Sequence, residues 1–321
     1  MSSEERGLEV GRDGRVVSHE PSPILSTSQR TLKAYSISKT VASAIHEVAF
    51  YGQVWSCFPA ACNLVDGAGR VVSLVTSDVG DGPLNVVVEG KDPFDGVKAG
   101  MEARIEGNKA VVGNRLVVDL DAEVWQPVVL WDQVTAEAMA SLWDYVRDWA
   151  TSENLLAFWV PAVRPLRGVQ MAFQETARDA AERLLLALRR GDREGIAIYA
   201  LALAGLGPGA TPAGDDFLMG LMAGLRAWPQ FLTPGGLSAG DACVTVSQAV
   251  VAHTNVFSAA HLRAARDGQM GAGWHRLAAA LTAGDKRAIQ EAAESLLAFG
   301  ATSGADAMAG FVGPYLLNGK V

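Results

Sequence analysis

Valine and alanine are segregated along this 321-residue chain. Residues 151–321 hold 36 Ala and only 10 Val, whereas Val outnumbers Ala in the residues before them. Branching at Cβ suits Val to strands, and Ala is the strongest helix former. A chain divided in this way must change secondary structure partway along. The expected class is α+β, an N-terminal antiparallel β-sheet or small barrel followed by a C-terminal α-helical domain. Regular strand–helix alternation is absent, which argues against a doubly wound parallel sheet.

Turn chemistry places the boundaries. Residues 1–34, punctuated by Gly11, Gly14, Pro21 and Pro23, read as a flexible N-terminal arm. Residues 35–130 read as the mostly β part. There Asp66-Gly67-Ala68-Gly69 joins two apolar runs, and Gly107-Asn108 and Gly113-Asn114 separate three short ones. One helix is expected over Ser38–Phe50, where Val41, Ala44, Ile45 and Val48 recur at helical spacing. Residues 131–321 read as the helical domain. Thr135 is the expected N-cap of a helix running to Trp149. Further helices are expected over 172–190, 193–204, 212–228, 241–267, 272–283, 285–299 and 303–317, with stops at Gly191, Gly268, Gly284 and Gly300.

Charge and cysteine usage exclude several functions. The balance of 35 acidic against 27 basic residues, net -8, opposes nucleic-acid binding. No apolar run approaches the roughly 20 residues a membrane span needs. Met1-Ser2-Ser3-Glu4-Glu5-Arg6 does not begin a secretory signal. Cys57, Cys62 and Cys243 are an odd, sparse set suited to a reducing compartment, so a cytoplasmic protein is expected.

The most informative stretch is Gly205-Leu206-Gly207-Pro208-Gly209-Ala210-Thr211-Pro212-Ala213-Gly214-Asp215-Asp216-Phe217-Leu218-Met219-Gly220. It reads as a Gly-rich loop entering a helix, with Thr211 as N-cap and Pro212 at the first helical position. Gly207 and Gly209 would expose backbone N–H groups to an anion at the helix start. Asp215 and Asp216 fall in the first turn, where the helix dipole favours them. Gly inside a helix costs about 1 kcal/mol relative to Ala, so Gly214, Gly220 and Gly224 imply a close approach by another helix or by a ligand. Walker A chemistry is excluded, because the loop carries no Lys.

Three weaker segments accompany it. Gly300-Ala301-Thr302-Ser303-Gly304-Ala305-Asp306 aligns with Gly209–Asp215 and reads as a degenerate repeat, bringing in Thr302, Ser303 and Asp306. In His253-Thr254-Asn255-Val256-Phe257-Ser258, the expected helix places Thr254 and Ser258 on one face. His253 and His261 lack the usual spacing of a zinc helix. Asn63 and Asn85 stand at the ends of apolar runs, where turn chemistry is the ordinary role.

Taken together, these segments resemble a bacterial family that includes AllH, a subunit of oxamate carbamoyltransferase. The resemblance rests chiefly on residues 205–220. It extends to Asn63, Gly82-Pro83-Leu84-Asn85, Thr254–Leu262 and Thr302–Asp306. It implies a subunit that works with partner subunits on oxalurate and phosphate, giving oxamate and carbamoyl phosphate. Under that implication the site comprises Asn63, Asn85, Gly207, Gly209, Thr211, Gly214, Thr254, Ser258, Thr302, Ser303 and Asp306 around a small anionic substrate. Loop amides would hold an anionic oxygen, and Asp215 and Asp216 would act at the amide end. Ala301 stands where the family resemblance leads one to expect His, and Cys62 stands where an aliphatic residue is expected.

No cofactor is required by this reading. A competing one is a hydrolase or lyase whose Mg or Mn is held by Asp215, Asp216 and Asp306. A third is a non-catalytic binding or scaffold protein in which the glycines only pack helices.

Overall fold

The computed structural model describes residues 29–153, 169–207 and 209–318. Its first part contains β1 (Arg30–Ser38), α1 (Lys39–Glu47), β2 (Phe50–Phe58), β3 (Ala61–Asp66) and β4 (Val71–Val75). After these come β5 (Asn85–Val88), β6 (Glu102–Glu106), β7 (Lys109–Val112), β8 (Leu116–Asp119) and β9 (Glu123–Trp125). The strand order is β5-β4-β3-β2-β6-β7-β8-β1, and β1 pairs back onto β5, which closes an eight-stranded barrel. β9 extends the end of β1 from Ser36 to Ser38.

The expected small barrel is therefore present, but it is not wholly antiparallel. β1 runs parallel to β8 and β9, and β4 runs parallel to β5. Parallel neighbours need crossing connections, which hairpin signals do not encode. The first strand begins at Arg30, inside the segment expected to be an arm; residues 1–28 lie outside the described residues. Leu32, Phe50, Cys62, Leu64, Leu74, Val86, Ile105 and Val118 fill the barrel. Side chains alternate across a strand, so Asn63, between Cys62 and Leu64, faces outward.

The second part contains α2 (Ala136–Glu153), α3 (Val169–Arg190), α4 (Arg193–Leu203), α5 (Ala213–Ala227) and α6 (Ala239–Val250). It continues with α7 (Val256–Arg266), α8 (Ala272–Ala283), α9 (Lys286–Leu297) and α10 (Ser303–Asn318). Thr135 accepts from the Ala138 N–H at 3.2 Å, as an N-cap should. The single helix expected over 241–267 is two helices. Asn255 starts the second by accepting from the Phe257 and Ser258 N–H groups, so the apolar pattern continues while the axis turns.

The helical region contains an internal duplication, α3–α5 and α8–α10. Gly191 and Gly284 end α3 and α8 with positive φ. Asp192 and Asp285 then cap α4 and α9, and Leu203 and Leu296 lie near the ends of those helices. Leu206 donates to the Leu203 carbonyl, and Phe299 to the Leu296 carbonyl. Gly214 then donates to Leu206 O, and Gly304 to Phe299 O. Members of these pairs are 93 positions apart before the loops, and 90 apart at Gly214/Gly304, Asp216/Asp306 and Gly220/Gly310. The repeat read from the sequence is real, but its register shifts by one residue, so Asp306 corresponds to Asp216 rather than to Asp215.

The interior glycines have a packing cause. A Cβ at Gly220 would collide with the Ala307 carbonyl, and one at Gly310 with the Phe217 carbonyl. Gly224 meets the Phe311 carbonyl in the same way, and Gly214 the Leu203 carbonyl. The contact between α5 and α10 is reciprocal, as a pseudo-two-fold pair requires.

A seam joins the two parts. Trp55 stacks on Phe257 with centroids 5.4 Å apart, and Trp125 lies against His275 at 4.9 Å. The Ala272 N–H donates to Asp81 O at 2.9 Å. Val71 and Leu84 on the barrel pack with Ala260 of α7.

Gly220→Ala should destabilise the protein by about 2 kcal/mol or more, the order expected of overpacking. Gly67→Ala, where an added methyl meets nothing within 4 Å, should stay within about 0.5 kcal/mol. Urea denaturation of both variants checks the contrast; equal stabilities would contradict the helix contact.

Candidate functional site

The candidate site lies where α5 and α10 begin. Both helices start at the same end of their shared contact, and the Thr211 and Ser303 hydroxyls meet there at 3.0 Å. Asp216 and Asp306, each in the first turn of its helix, lie behind that pair. Asp216 is 2% exposed and Asp306 7%. The Oδ2 atom of each is buried and has no hydrogen-bond partner.

Burial dominates their electrostatics. It pushes Asp216 up to about 8, with the Asp306 charge adding to the rise and the Ser303 and Thr211 hydroxyls opposing it. Asp306 is pushed up to about 6, again by burial, with the Thr302 hydroxyl opposing.

Asp215 is different from its neighbour. One oxygen accepts from the Gly205 N–H at 2.9 Å, and the other accepts from the Thr254 hydroxyl. It ties the start of the Gly-rich loop to the turn before α7. The two adjacent carboxylates, expected to act together, thus face different neighbours.

Other expected site residues divide into two groups. Thr254 belongs to the turn before the Asn255 cap rather than to a helix face shared with Ser258. Both still reach the Gly-rich segment, Thr254 through Asp215 and Ser258 through a 3.5 Å contact with Ala210 O. Thr211 does not cap α5. Pro212 holds the N-cap position with no side-chain hydrogen bond, the helix starts at Ala213, and Thr211 turns to Ser303 instead. Gly207 packs against Ala213, and Gly209 has a positive φ of 104°. Pro208 lies outside the described residues.

Asn63 and Asn85 remain with the barrel. Asn63 donates to the Ser56 hydroxyl at 2.9 Å, and Asn85 to Gly80 O at 2.8 Å. They share a row with Ser73 across β3, β4 and β5, on the outer face that Val65 and Val71 present to α7.

Sequence reasoning missed Asn255. Besides capping α7, its Nδ2 donates to Ala210 O at 2.9 Å and so fixes the loop beside Thr211. The available signal was an Asn immediately before an apolar run, a helix-start signature. His261, weighed above with His253, lies edge-on against Phe257 and is pushed down to about 4 by burial.

No group of three or more His, Cys, Asp or Glu able to hold a metal occurs among the described residues. Among those residues, no helix is long and apolar enough to cross a membrane.

A closed mixed barrel carrying a duplicated helical domain, with two carboxylates buried where the repeats cross, defines a two-part α+β protein. Comparison with known families specifies it further. The model of oxamate carbamoyltransferase subunit AllH matches residues 203–314, and that of the AllH family N-terminal domain matches residues 33–124. The chain belongs to the AllH family, whose two family models fall on the helical and barrel parts respectively. No solved structure matches it.

Two outcomes follow from these environments. The folded protein holds the Asp216 proton up to about pH 8, against an ordinary value of 3.8. Between those values the folded state binds more protons than the unfolded one, so this carboxyl makes stability fall as pH rises. Asp306 adds a similar fall up to about 6. Asp216→Asn should flatten the decline in melting temperature across that window; an unchanged slope would exclude Asp216 as the titrating group. Asp215→Ala should cost about 2 kcal/mol, because it strands the Gly205 N–H and the Thr254 hydroxyl. Chemical denaturation measures that loss, and wild-type stability would refute the latch.

Proposed function

We propose that this chain works as a subunit of an oxamate carbamoyltransferase, with partner subunits, on oxalurate and phosphate to give oxamate and carbamoyl phosphate. Its contribution is the site at the start of α5 and α10, which binds the small anionic substrate. The observation that carries this reading is the family match over 203–314, since that segment contains Thr211, Asp216, Ser303 and Asp306. The first repeat's Gly-rich loop supplies backbone around Gly207, Gly209 and Thr211 for an anionic oxygen. Thr302 and Ser303 approach from the second repeat. Asp215, Thr254, Asn255 and Ser258 hold the loop in place. Asn63 and Asn85 act through the barrel face against α7, as a supporting wall.

The competing Mg or Mn hydrolase or lyase loses support because Asp215 is already committed to Gly205 and Thr254. A purely scaffolding role explains Gly214, Gly220 and Gly224, which pack backbone, but gives no reason for two buried oxygens without partners. We assign the assembly to the cytoplasm, in keeping with the free thiols of Cys57 and Cys62, which stand directly opposite each other on β2 and β3.

The test is reconstitution. The chain purified with its partner subunits should form carbamoyl phosphate from oxalurate and phosphate, and the chain alone should be inactive or weakly active. Thr211→Val in the complex should lower kcat/KM by about tenfold or more. A fully assembled complex with no carbamoyl transfer would overturn the assignment.

A further inference from the structure

Resting on that carbamoyl-transfer reading, the inner end of the site can be assigned to one part of the substrate. Asp216 and Asp306 hold corresponding positions in the two repeats, and the reciprocal packing of Gly220 and Gly310 brings their helix starts together. Each carboxylate keeps one buried oxygen with no partner. The groups that influence Asp216 are Ser303, Thr211, Asp306 and Asp215, and Thr302 influences Asp306. No Lys, Arg or His is among them.

The Asp306 charge acts on Asp216, and two buried carboxyls in such a field, with no cation beside them, are stabilised when the pair keeps one proton. The pair then offers one O–H donor beside several acceptor oxygens. A primary amide or ureido end, C(=O)NH2, presents the complementary set: one carbonyl acceptor and two N–H donors. A carboxylate presents only acceptor oxygens and negative charge to the ionised member and is repelled, and hydrogen phosphate can approach it only through its hydroxyl.

We propose that Asp216 and Asp306 share one proton across the pseudo-two-fold axis and together seat the carbamoyl end of the substrate. The Thr211–Ser303 hydroxyl pair lies at the mouth of this seat, and the anionic groups lie beyond it, toward the Gly-rich loop. During transfer, a phosphate oxygen bonds to the carbamoyl carbon and the bond from that carbon to the oxamate nitrogen breaks. The shared proton moves to the departing nitrogen, and the hydroxyl proton of hydrogen phosphate restores the pair. Atoms and charge balance with no other reactant.

The experiment uses the full chain alone and then the complex. Infrared difference spectra of wild type against Asp216→Asn at neutral pH should show loss of a protonated-carboxyl C=O band. In calorimetric titrations of oxalurate without phosphate, Asp216→Asn and Asp306→Asn should each bind within a fewfold of wild type, since an amide replaces the protonated member. The double variant has no ionised acceptor and should bind about tenfold or more weakly. Oxalate, which lacks the amide, should bind wild type and the double variant alike.

Absence of the protonated-carboxyl band, or wild-type oxalurate affinity in the double variant, would overturn the shared-proton seat. The two readings fail separately. Full carbamoyl transfer by a complex carrying the double variant sinks the seat and leaves the family function intact. A complex without carbamoyl transfer, whose isolated chain still shows the band and the loss of oxalurate binding in the double variant, sinks the function and leaves the seat standing.

Discussion

The contact between α5 and α10 through bare backbone is the constraint on which the rest of the molecule depends. At Gly220 and Gly310 each helix receives a carbonyl of the other at a distance no Cβ would permit. That closeness brings the helix starts together, and with them Thr211, Ser303, Asp216 and Asp306. A looser contact, of the kind two alanine faces make, would let water in between the carboxylates and return them toward ordinary acids. The packing of small residues and the weakened acidity of Asp216 and Asp306 therefore share one cause.

Two opposing fields act on the buried carboxylates. Each lies in the first turn of a helix, where the macrodipole favours negative charge by about 0.3–1 kcal/mol, and more when partly buried. Removal from water disfavours charge by considerably more. The outcome is visible in the shifts: Asp216 rises to about 8 and Asp306 to about 6, with burial the leading cause for both. Asp215, one residue away on the same helix, has two donors assigned to it instead. Adjacent positions on a helix point about 100° apart, which is enough to send one carboxylate to the loop and the other to the axis.

Much of this was legible in the sequence. The shift from Val to Ala located the change from barrel to helices, and the Gly-rich segment falls at the candidate site where α5 and α10 begin. The interior glycines correctly implied a close approach, but residue types alone cannot tell a helix carbonyl from a ligand. The carbonyls at Ala307 and Phe311 come from nearly 90 residues away, and their positions are set by a crossing that no local pattern records. The repeat was found through Gly-Ala-Thr, yet that triplet lies in loops of unequal length, so it misaligned the aspartates by one. Hydrogen bonds from Gly214 and Gly304 set the true register. The parallel pairing within the barrel was out of reach for a related reason: β1 joins β8 through residues far apart in sequence.

The two loops are unequal in length. Six residues separate Gly207 from Gly214, and three separate Gly300 from Gly304. The additional length in the first repeat holds Ala210, whose carbonyl is engaged by Asn255 and approached by Ser258. Both belong to the start of α7, which lies between the repeats and has no counterpart within them. The same helix lays Phe257 against Trp55 and Ala260 against the barrel. One side of the carboxylate pair is therefore fixed within the second repeat, and the other is tethered through α7 to the barrel. A symmetric acid pair by itself does not distinguish the two ends of a planar substrate. In the proposed seat the asymmetric loops would supply that distinction, and the barrel would bear on it through α7.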